Sequence, residues 1–184
     1  MNNVNHLLIL ILLMLLFVLT LVSQGHAQHY FGKEKVANIT FYNQGKVAGD
    51  NPPIVLAAKP EGTTVSATSL IPFGSVYVLD TPFTERQDPN SKVLGQVQGL
   101  VVSAGQNDSV LVPLLVFGFT DGPFKGSSFS VLSRDPIMEA ERELAIVGGT
   151  GKFRLARGFA YIRTVANTTS DFTDEYNAII FHHE

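Results

Sequence analysis

The spacing of turn residues constrains the fold of this chain most strongly. From Val36 onward, apolar and β-branched runs alternate with Gly, Pro, Asn and Asp, and no segment keeps a 3.6-residue period. Such short, regularly interrupted runs are typical of β-strands rather than helices. The candidate strands are VANITFY, TTVSATSLI, SVYVLD, VLGQVQGLVVSA, SVLVPLLVFGFT, SSFSVLS, ELAIVG, FRLARGFAYIRTVAN and DEYNAIIFHH. The sequence therefore predicts an all-β fold.

Eight or nine strands joined by short turns favour one antiparallel barrel or sandwich. The chain has no cysteine, so disulfides cannot stabilise it. We prefer a barrel because closure removes the sheet edges that such a chain would otherwise expose, and because a small barrel can hold one ligand. The 13 phenylalanines then either form an ordinary core or line the cavity.

The N-terminus carries a targeting signal. Residues 7–22 form an unbroken apolar run, shorter than the roughly 20 residues of a transmembrane helix. Gly25 and Ala27 then supply the small-x-small pattern of a cleavage site. We predict a secretory signal peptide over residues 1–27 and a single mature domain over 28–184. An uncleaved anchor is the alternative, because the segment before the run lacks Lys and Arg.

Other features of the sequence agree with secretion. Three N-glycosylation sequons begin at Asn38, Asn107 and Asn167, and their acceptor residues predict a glycosylated surface. The net charge is −3 with scattered lysines, so there is no basic face for nucleic acid. We expect no membrane association once the signal is removed.

The distribution of His and Cys excludes several classes of chemistry. The five histidines are His6, His26, His29, His182 and His183, which leaves residues 30–181 without any. A Ser-His-Asp triad, a His-rich metal site and Cys-ligated zinc therefore lack their usual components. We predict neither a metal site nor a cofactor.

A glycine-rich stretch, VGGTGK, does not match a phosphate-binding loop. Lys152 is followed by Phe153 rather than by Ser or Thr, and the residues beyond form a strand-like run rather than a helix. We therefore interpret Gly148, Gly149 and Gly151 as hairpin glycines with positive φ.

An acid and a cation flank the preceding turn. Asp135 lies seven positions before Arg142, and an odd spacing places two residues on opposite faces of a continuous strand. The Asp135–Pro136 step can bend the chain and bring the two side chains together. The alternative is that Asp135 starts a turn and Arg142 is simply solvated.

Several of these segments together resemble the plant dirigent family. The matching segments are SVYVLDTPFTERQDPNSKVLGQVQGL, FTDGPFKGSSFSVLSRDPI, VGGTGKFRLARG and DEYN, which cover nearly the whole mature chain. The resemblance implies an eight-stranded antiparallel β-barrel, usually a homotrimer, secreted to the apoplast. It also implies stereoselective coupling of phenoxy radicals in phenylpropanoid and lignan metabolism, with oxidation supplied by a separate laccase or peroxidase.

The resemblance also suggests which residues form the site. The acid and cation of the family pocket fall on Asp135 and Arg142, and a pocket threonine falls on Thr164. A carboxylate beside a guanidinium can hold a phenol or its quinone methide and exchange a proton with it.

At other pocket positions the chain departs from the family. Asn43 and Gln44 stand where many members carry His-Asp. Val101 and Ser103 stand where lignan-forming members carry tyrosines. These differences admit a second function, the loss of water from an isoflavanol through a quinone methide, as in pterocarpan-forming dirigents. A third possibility is a non-catalytic cell-wall or defence protein that binds apolar ligands.

Overall fold

The computed structural model describes residues 6, 8–20, 32–64 and 71–183. The described part of the body is built almost entirely from strands, with one short 3₁₀-helix at Gly151–Phe153. The strands are β1 (Glu34–Lys46), β2 (Ile54–Ala58), β3 (Val76–Thr84), β4 (Val93–Ser103), β5 (Val110–Phe119), β6 (Ser128–Leu132), β7 (Asp135–Pro136), β8 (Arg142–Thr150), β9 (Arg157–Asn167) and β10 (Asp171–His183).

Eight of these strands close into an antiparallel barrel. Neighbouring strands follow the order β1, β10, β9, β8, β6, β5, β4 and β3, and β1 then pairs with β3 through Tyr42 opposite Thr84 and Asn43 opposite Phe83. Strand β2 adds to β3 beside this closure, and β7 pairs with β5. The predicted eight-stranded antiparallel barrel is confirmed.

One predicted strand lies mostly outside the described residues, and one observed strand was not predicted. The run 63–71 was expected to be a strand, but residues 63, 64 and 71 lie outside any strand and residues 65–70 lie outside the described part. Strand β2 was missed, because only Ile54 of its five residues is buried and its sequence lacks the alternation that predicts a half-buried strand.

The barrel interior is aromatic. Inward positions on neighbouring strands bring Phe41 against Phe83 and Phe117, with ring centroids 4.9 and 5.4 Å apart. Phe117 stacks on Phe129 at 4.7 Å, and Phe41 stacks on Tyr176 at 5.1 Å. Since aromatic rings bury large apolar areas, this cluster contributes strongly to hydrophobic stabilisation.

The glycine-rich stretch differs from its prediction at two of three positions. Gly151 has φ +62, as expected for a turn glycine, whereas Gly148 and Gly149 have no positive φ and belong to β8. At Gly149 the constraint is space rather than φ. A Cβ there would lie 2.5 Å from the Phe153 carbonyl oxygen and 2.6 Å from that of Ser128.

The N-terminal apolar run is helical over residues 8–20, and its large side chains are exposed. Within the described ranges, no helix combines the length and apolarity needed to cross a membrane. The predicted cleavage site at Gly25 to Ala27 lies outside the described residues. Asn38, Asn107 and Asn167 are all exposed, as an acceptor asparagine must be.

Candidate functional site

Strand β7 carries Asp135 into the barrel. Leu111 of β5 pairs with Asp135 and Leu114 pairs with Leu132 of β6, so β6 and β7 continue a single register with a break between them. Pro113 of β5 lies opposite this break. Because proline has no N–H to donate, it fits a position where the hydrogen-bond ladder is already interrupted. Because the alternation of side chains continues across the break, Asp135 points inward and is buried.

Arg142 meets Asp135 from the start of β8. The turn over residues 137–141 reverses the chain, so the odd spacing no longer places the two residues on opposite faces. The Arg142 Nη1 atom donates to both Asp135 carboxylate oxygens at 3.2 and 3.3 Å, and the Arg142 side chain is 4% exposed. The two side chains therefore converge, and the alternative of a solvated arginine is wrong.

Two residues from β9 and β10 complete the cluster. Arg142 Nη2 donates to Thr164 Oγ1 at 3.1 Å and to Asp174 Oδ1 at 3.4 Å. Thr164 Oγ1 in turn donates to Asp174 Oδ1 at 2.6 Å. Thr164 is exposed while Asp174 is buried, so the threonine stands at the mouth of the site and the acid lies beneath it.

Asp174 was not predicted from the sequence, where DEYN entered only as part of the resemblance. The sequence signal that could have identified Asp174 is the alternation of inward and outward side chains along β10. Asp174 lies two residues before Tyr176, and both face the interior, whereas Glu175 between them faces outward to Tyr42 and Arg163.

The cluster holds protons more tightly than exposed carboxyl groups do. Burial raises the pKa of Asp135, against the lowering effect of the Arg142 charge. Burial also raises the pKa of Asp174, against the hydrogen bond from Thr164 and the Arg142 charge. One guanidinium cannot fully neutralise two carboxylates, and the residual negative charge is unfavourable in a poorly solvated interior. The two acids therefore titrate as a coupled pair.

The aromatic core lies directly below this cluster. Tyr176 stacks on Phe41 and is fully enclosed, and burial together with the nearby Asp174 and Asp135 carboxylates raises the pKa of its phenol far above the ordinary value. Tyr176 therefore stays neutral, and with the fully buried Phe41 and Phe117 it forms the aromatic core beneath the cluster.

Val101 and Ser103 lie at the same end of the barrel. Ser103 pairs with Leu111, which pairs with Asp135, so these residues form one row across β4, β5 and β7. The Ser103 hydroxyl donates to the Ile71 carbonyl at 2.9 Å. Val101 is partly buried against the core. Neither side chain contributes a charge to the cluster.

Asn43 and Gln44 point in opposite directions. Asn43 faces the interior, where its Oδ1 accepts a 2.7 Å hydrogen bond from Thr81. The Gln44 amide instead donates to Thr84 Oγ1 at 3.0 Å and accepts from Thr173 at 3.0 Å. Gln44 thus links three strands on the other face and does not join the buried cluster.

A separate depression of about 410 Å³ lies on the other side of the barrel wall, lined by Gln96, Gly118, Ser128 and Thr150 among others. Its lining contains no ionisable side chain. We place the candidate site at the buried acids instead, because acid–base chemistry needs titratable groups of perturbed pKa.

Comparisons with known proteins agree with one another. The family model described as Dirigent-like protein matches residues 36–181. Dirigent protein 23 of Arabidopsis thaliana is 39% identical over 93% of this chain and 95% of that protein. Pterocarpan synthase 1 of Glycyrrhiza echinata is 40% identical over 83% of this chain and 81% of that protein. The solved structure of the pterocarpan synthase dirigent protein GePTS1 superposes with a TM-score of 0.77 and 37% identity, covering 83% of this chain and 87% of that one.

Proposed function

Since this chain belongs to the dirigent family, whose members act on phenolic substrates, we propose that it guides a phenol through a quinone methide, as a dehydrating dirigent. The supporting observation is the pair of buried carboxylates, Asp135 and Asp174, that share Arg142. Similarity to pterocarpan synthase 1 favours the same reaction class.

A pair of acids with raised pKa suits a reaction that needs both an acid and a base. When the benzylic C–O bond of a hydroxylated phenol breaks, the hydroxyl leaves as water with a proton from the protonated carboxyl. The phenol proton passes to the ionised carboxylate, and a neutral quinone methide remains. Ring closure then forms a C–O bond to a second phenol oxygen, whose proton balances the one taken up by the quinone methide oxygen.

Arg142 holds the reacting oxygen and sets the charge of the cluster. A guanidinium donates charge-assisted hydrogen bonds to the oxygen on which negative charge develops as the phenol loses its proton. The aromatic core around Phe41 and Tyr176 makes the surroundings of the cluster apolar. This limits the access of water to the quinone methide, which water would otherwise attack.

The main test incubates the purified protein with an isoflavanol, without any oxidase, and resolves the products on a chiral column. We expect dehydration and ring closure that are faster than the spontaneous reaction and that favour one enantiomer. Directed coupling of a monolignol only when laccase is added, with no effect on the isoflavanol, would contradict this proposal and support the radical-coupling function instead.

Variants of the cluster connect the activity to the site. Asp135→Asn and Arg142→Ala are each expected to reduce turnover by at least about tenfold, because a hydrogen bond to a charged group is worth about 1.5–3 kcal/mol. Lys125→Ala, at an exposed turn position, serves as the control and should turn over normally. Full activity in both cluster variants with an unchanged circular dichroism spectrum would contradict the assignment.

The protein is proposed to act outside the cell. Members of the family are generally extracellular, and the predicted signal peptide over residues 1–27 agrees with that location. Glycosylation is proposed at Asn38, Asn107 and Asn167, which are exposed. A shift in mobility after treatment with an N-glycosidase would test occupancy.

We also propose that the barrel assembles as the homotrimer implied by the family. An exposed apolar row crosses five strands, because Val55, Val78, Leu100, Leu114 and Leu132 are successive register partners. All five side chains are at least 37% exposed. A contiguous apolar surface of this kind marks an interface more often than open solvent contact.

A further inference from the structure

Side-chain contacts between the neighbouring strands β1 and β10 indicate that Asn43 lies opposite Asp174. Phe41 stacks on Tyr176, Tyr42 donates to Glu175, and Gln44 accepts from Thr173. Each step forward along β1 is thus one step back along β10, as in any antiparallel pair. Asn43 and Asp174 both face the interior, so their Cβ atoms lie roughly 5 Å apart.

In each of these two side chains, one polar atom is hydrogen-bonded and the other has no partner among the described residues. Asn43 Oδ1 accepts from Thr81, and Asp174 Oδ1 accepts from Thr164 and Arg142. Among the described residues, nothing bonds Asn43 Nδ2 or Asp174 Oδ2, and neither atom is sealed from solvent. Although the side chains are opposite one another, no hydrogen bond joins them.

The unpaired donor, Asn43 Nδ2, and the unpaired acceptor, Asp174 Oδ2, together match the hydrogen-bonding groups of an alcohol. A hydroxyl group can donate to Asp174 Oδ2 and accept from Asn43 Nδ2 at the same time. A methoxy oxygen can only accept, and a hydrogen in its place can do neither. In the structure the amide oxygen faces Thr81, which is fully buried, and this arrangement leaves Nδ2 as the unpaired group.

Aromatic rings bound this gap on both sides. Gly45 follows Asn43 on the same face, and the Phe172 ring occupies the space above Gly45, where a Cβ would lie 2.1 Å from the ring. Phe41 and Tyr176 lie on the opposite side. A hydroxyl bound between Asn43 and Asp174 would therefore lie in aromatic surroundings.

We propose that Asn43 and Asp174 form a hydroxyl-binding subsite that selects substrates carrying an aliphatic alcohol beside the phenol. This inference rests on the proposed function and specifies its substrate class. It places the departing hydroxyl of the dehydration at Asp174, the acid with the open oxygen, and leaves the phenol to Asp135 and Arg142. The hydroxyl donates to Oδ2 while Asp174 is ionised. Burial, which raises the pKa of Asp174, favours the protonated form, in which Oδ2 instead donates to the hydroxyl oxygen and so protonates the leaving group.

The test compares two ligands that differ only in this hydroxyl, an isoflavanol and the corresponding isoflavan, by isothermal titration calorimetry. We expect the wild-type protein to bind the alcohol at least about tenfold more tightly, because the deoxy compound leaves two polar atoms of the site unpaired. Short titrations at low temperature limit turnover of the alcohol.

The informative variant is the double substitution Asn43→Leu/Thr81→Val. It removes the amide and the hydroxyl that anchors it, and replacing both partners by apolar groups of similar shape avoids leaving a buried hydroxyl unpaired. We expect it to lose the preference for the alcohol while binding the isoflavan within about twofold of wild type. Thr81→Val alone keeps the amide but releases its oxygen, and an intermediate preference is expected.

The outcomes separate this subsite from the proposed function. Equal binding of both ligands by the wild-type protein would overturn the subsite alone. Unchanged preference in a folded double variant would overturn it as well. A wild-type protein that binds neither ligand would overturn the proposed function and the subsite with it.

Discussion

At the scale of single residues, the charge of the candidate site depends on one arginine, Arg142, that is hydrogen-bonded to two buried acids. Arg142 contacts Asp135 through Nη1 and Asp174 through Nη2, while its buried Nε has no hydrogen-bond partner among the described residues. A buried cation with two acids and one unpaired donor is costly for folding. That cost is consistent with selection for a reactive site rather than for stability.

The shared arginine predicts how Asp174→Asn changes the pH dependence of stability. The pKa of Asp174 is raised in the folded state, so the folded protein binds this proton more tightly than the unfolded chain does. Wild-type stability should therefore increase as pH falls through the raised pKa, level off below the ordinary aspartate range, and decrease as pH rises. The variant should lack this contribution, which changes by at most about 1.4 kcal/mol per pH unit.

Urea denaturation at a series of pH values measures this difference. Asp121→Asn provides a contrast of opposite sign, because the Gly122 amide and Lys92 lower the pKa of exposed Asp121. The contribution of Asp121 to the free energy of unfolding is present at neutral pH and is lost as pH falls. Parallel stability curves for the wild type and Asp174→Asn would show that Asp174 is not perturbed.

At the scale of elements, β8 connects the site to the opposite end of the barrel. It begins with Arg142 in the cluster, continues through the buried Leu144 and Ile146, and ends near Gly149, where backbone from Phe153 and Ser128 approaches closely. A side chain at Gly149 would separate β8 from β6 at one end. Because the strand is paired along its length, the effect should be mainly on stability.

Gly149→Ala is therefore expected to lower the free energy of unfolding by about 1–3 kcal/mol, the usual cost of overpacking a close contact. Gly148→Ala is the matched control, since a Cβ there would meet nothing within 4 Å. The control should stay within about 0.5 kcal/mol of wild type. Chemical denaturation of the two variants distinguishes them, and equal midpoints would contradict this account of the glycine pair.

At the scale of the whole molecule, the barrel separates two surfaces by the alternation of its strands. Inward side chains build the aromatic core and the acid cluster, while the outward row from Val55 to Leu132 remains exposed. Leu114 lies near the middle of that row and is 40% exposed. Its partners in the row are the register neighbours Leu100 and Leu132.

If this row joins copies of the chain, Leu114→Lys should convert the assembly to monomers, because it places a charge in the centre of an apolar contact. The fold of each barrel should be preserved, since surface substitutions usually change stability by no more than about 0.5 kcal/mol. Tyr161→Lys, at an exposed position on β9, is the control. Sedimentation velocity measures the result, and a wild-type monomer or an assembled Leu114→Lys variant would contradict the prediction.

Local patterns in the sequence predicted most of the fold. The interrupted apolar runs identified the positions of β1, β4, β5, β8 and β10 to within a few residues, because side-chain alternation and turn residues depend on neighbours in the chain. The positive φ predicted for Gly148 and Gly149 was wrong for a related reason. Their requirement for glycine comes from the backbone of other strands, which no local pattern records.

The sequence by itself determined an all-β chain, without Cys and without His between residues 30 and 181, whose Asp135 and Arg142 were candidates for one site. Only the tertiary structure decided that β10 contributes Asp174, that Asn43 and not Gln44 faces inward, and that β1 and β10 are neighbours in the sheet. Barrel closure brings strands from the two ends of the chain side by side. Sequence spacing carries no information about such a contact, because the pairing is set by packing of the whole barrel.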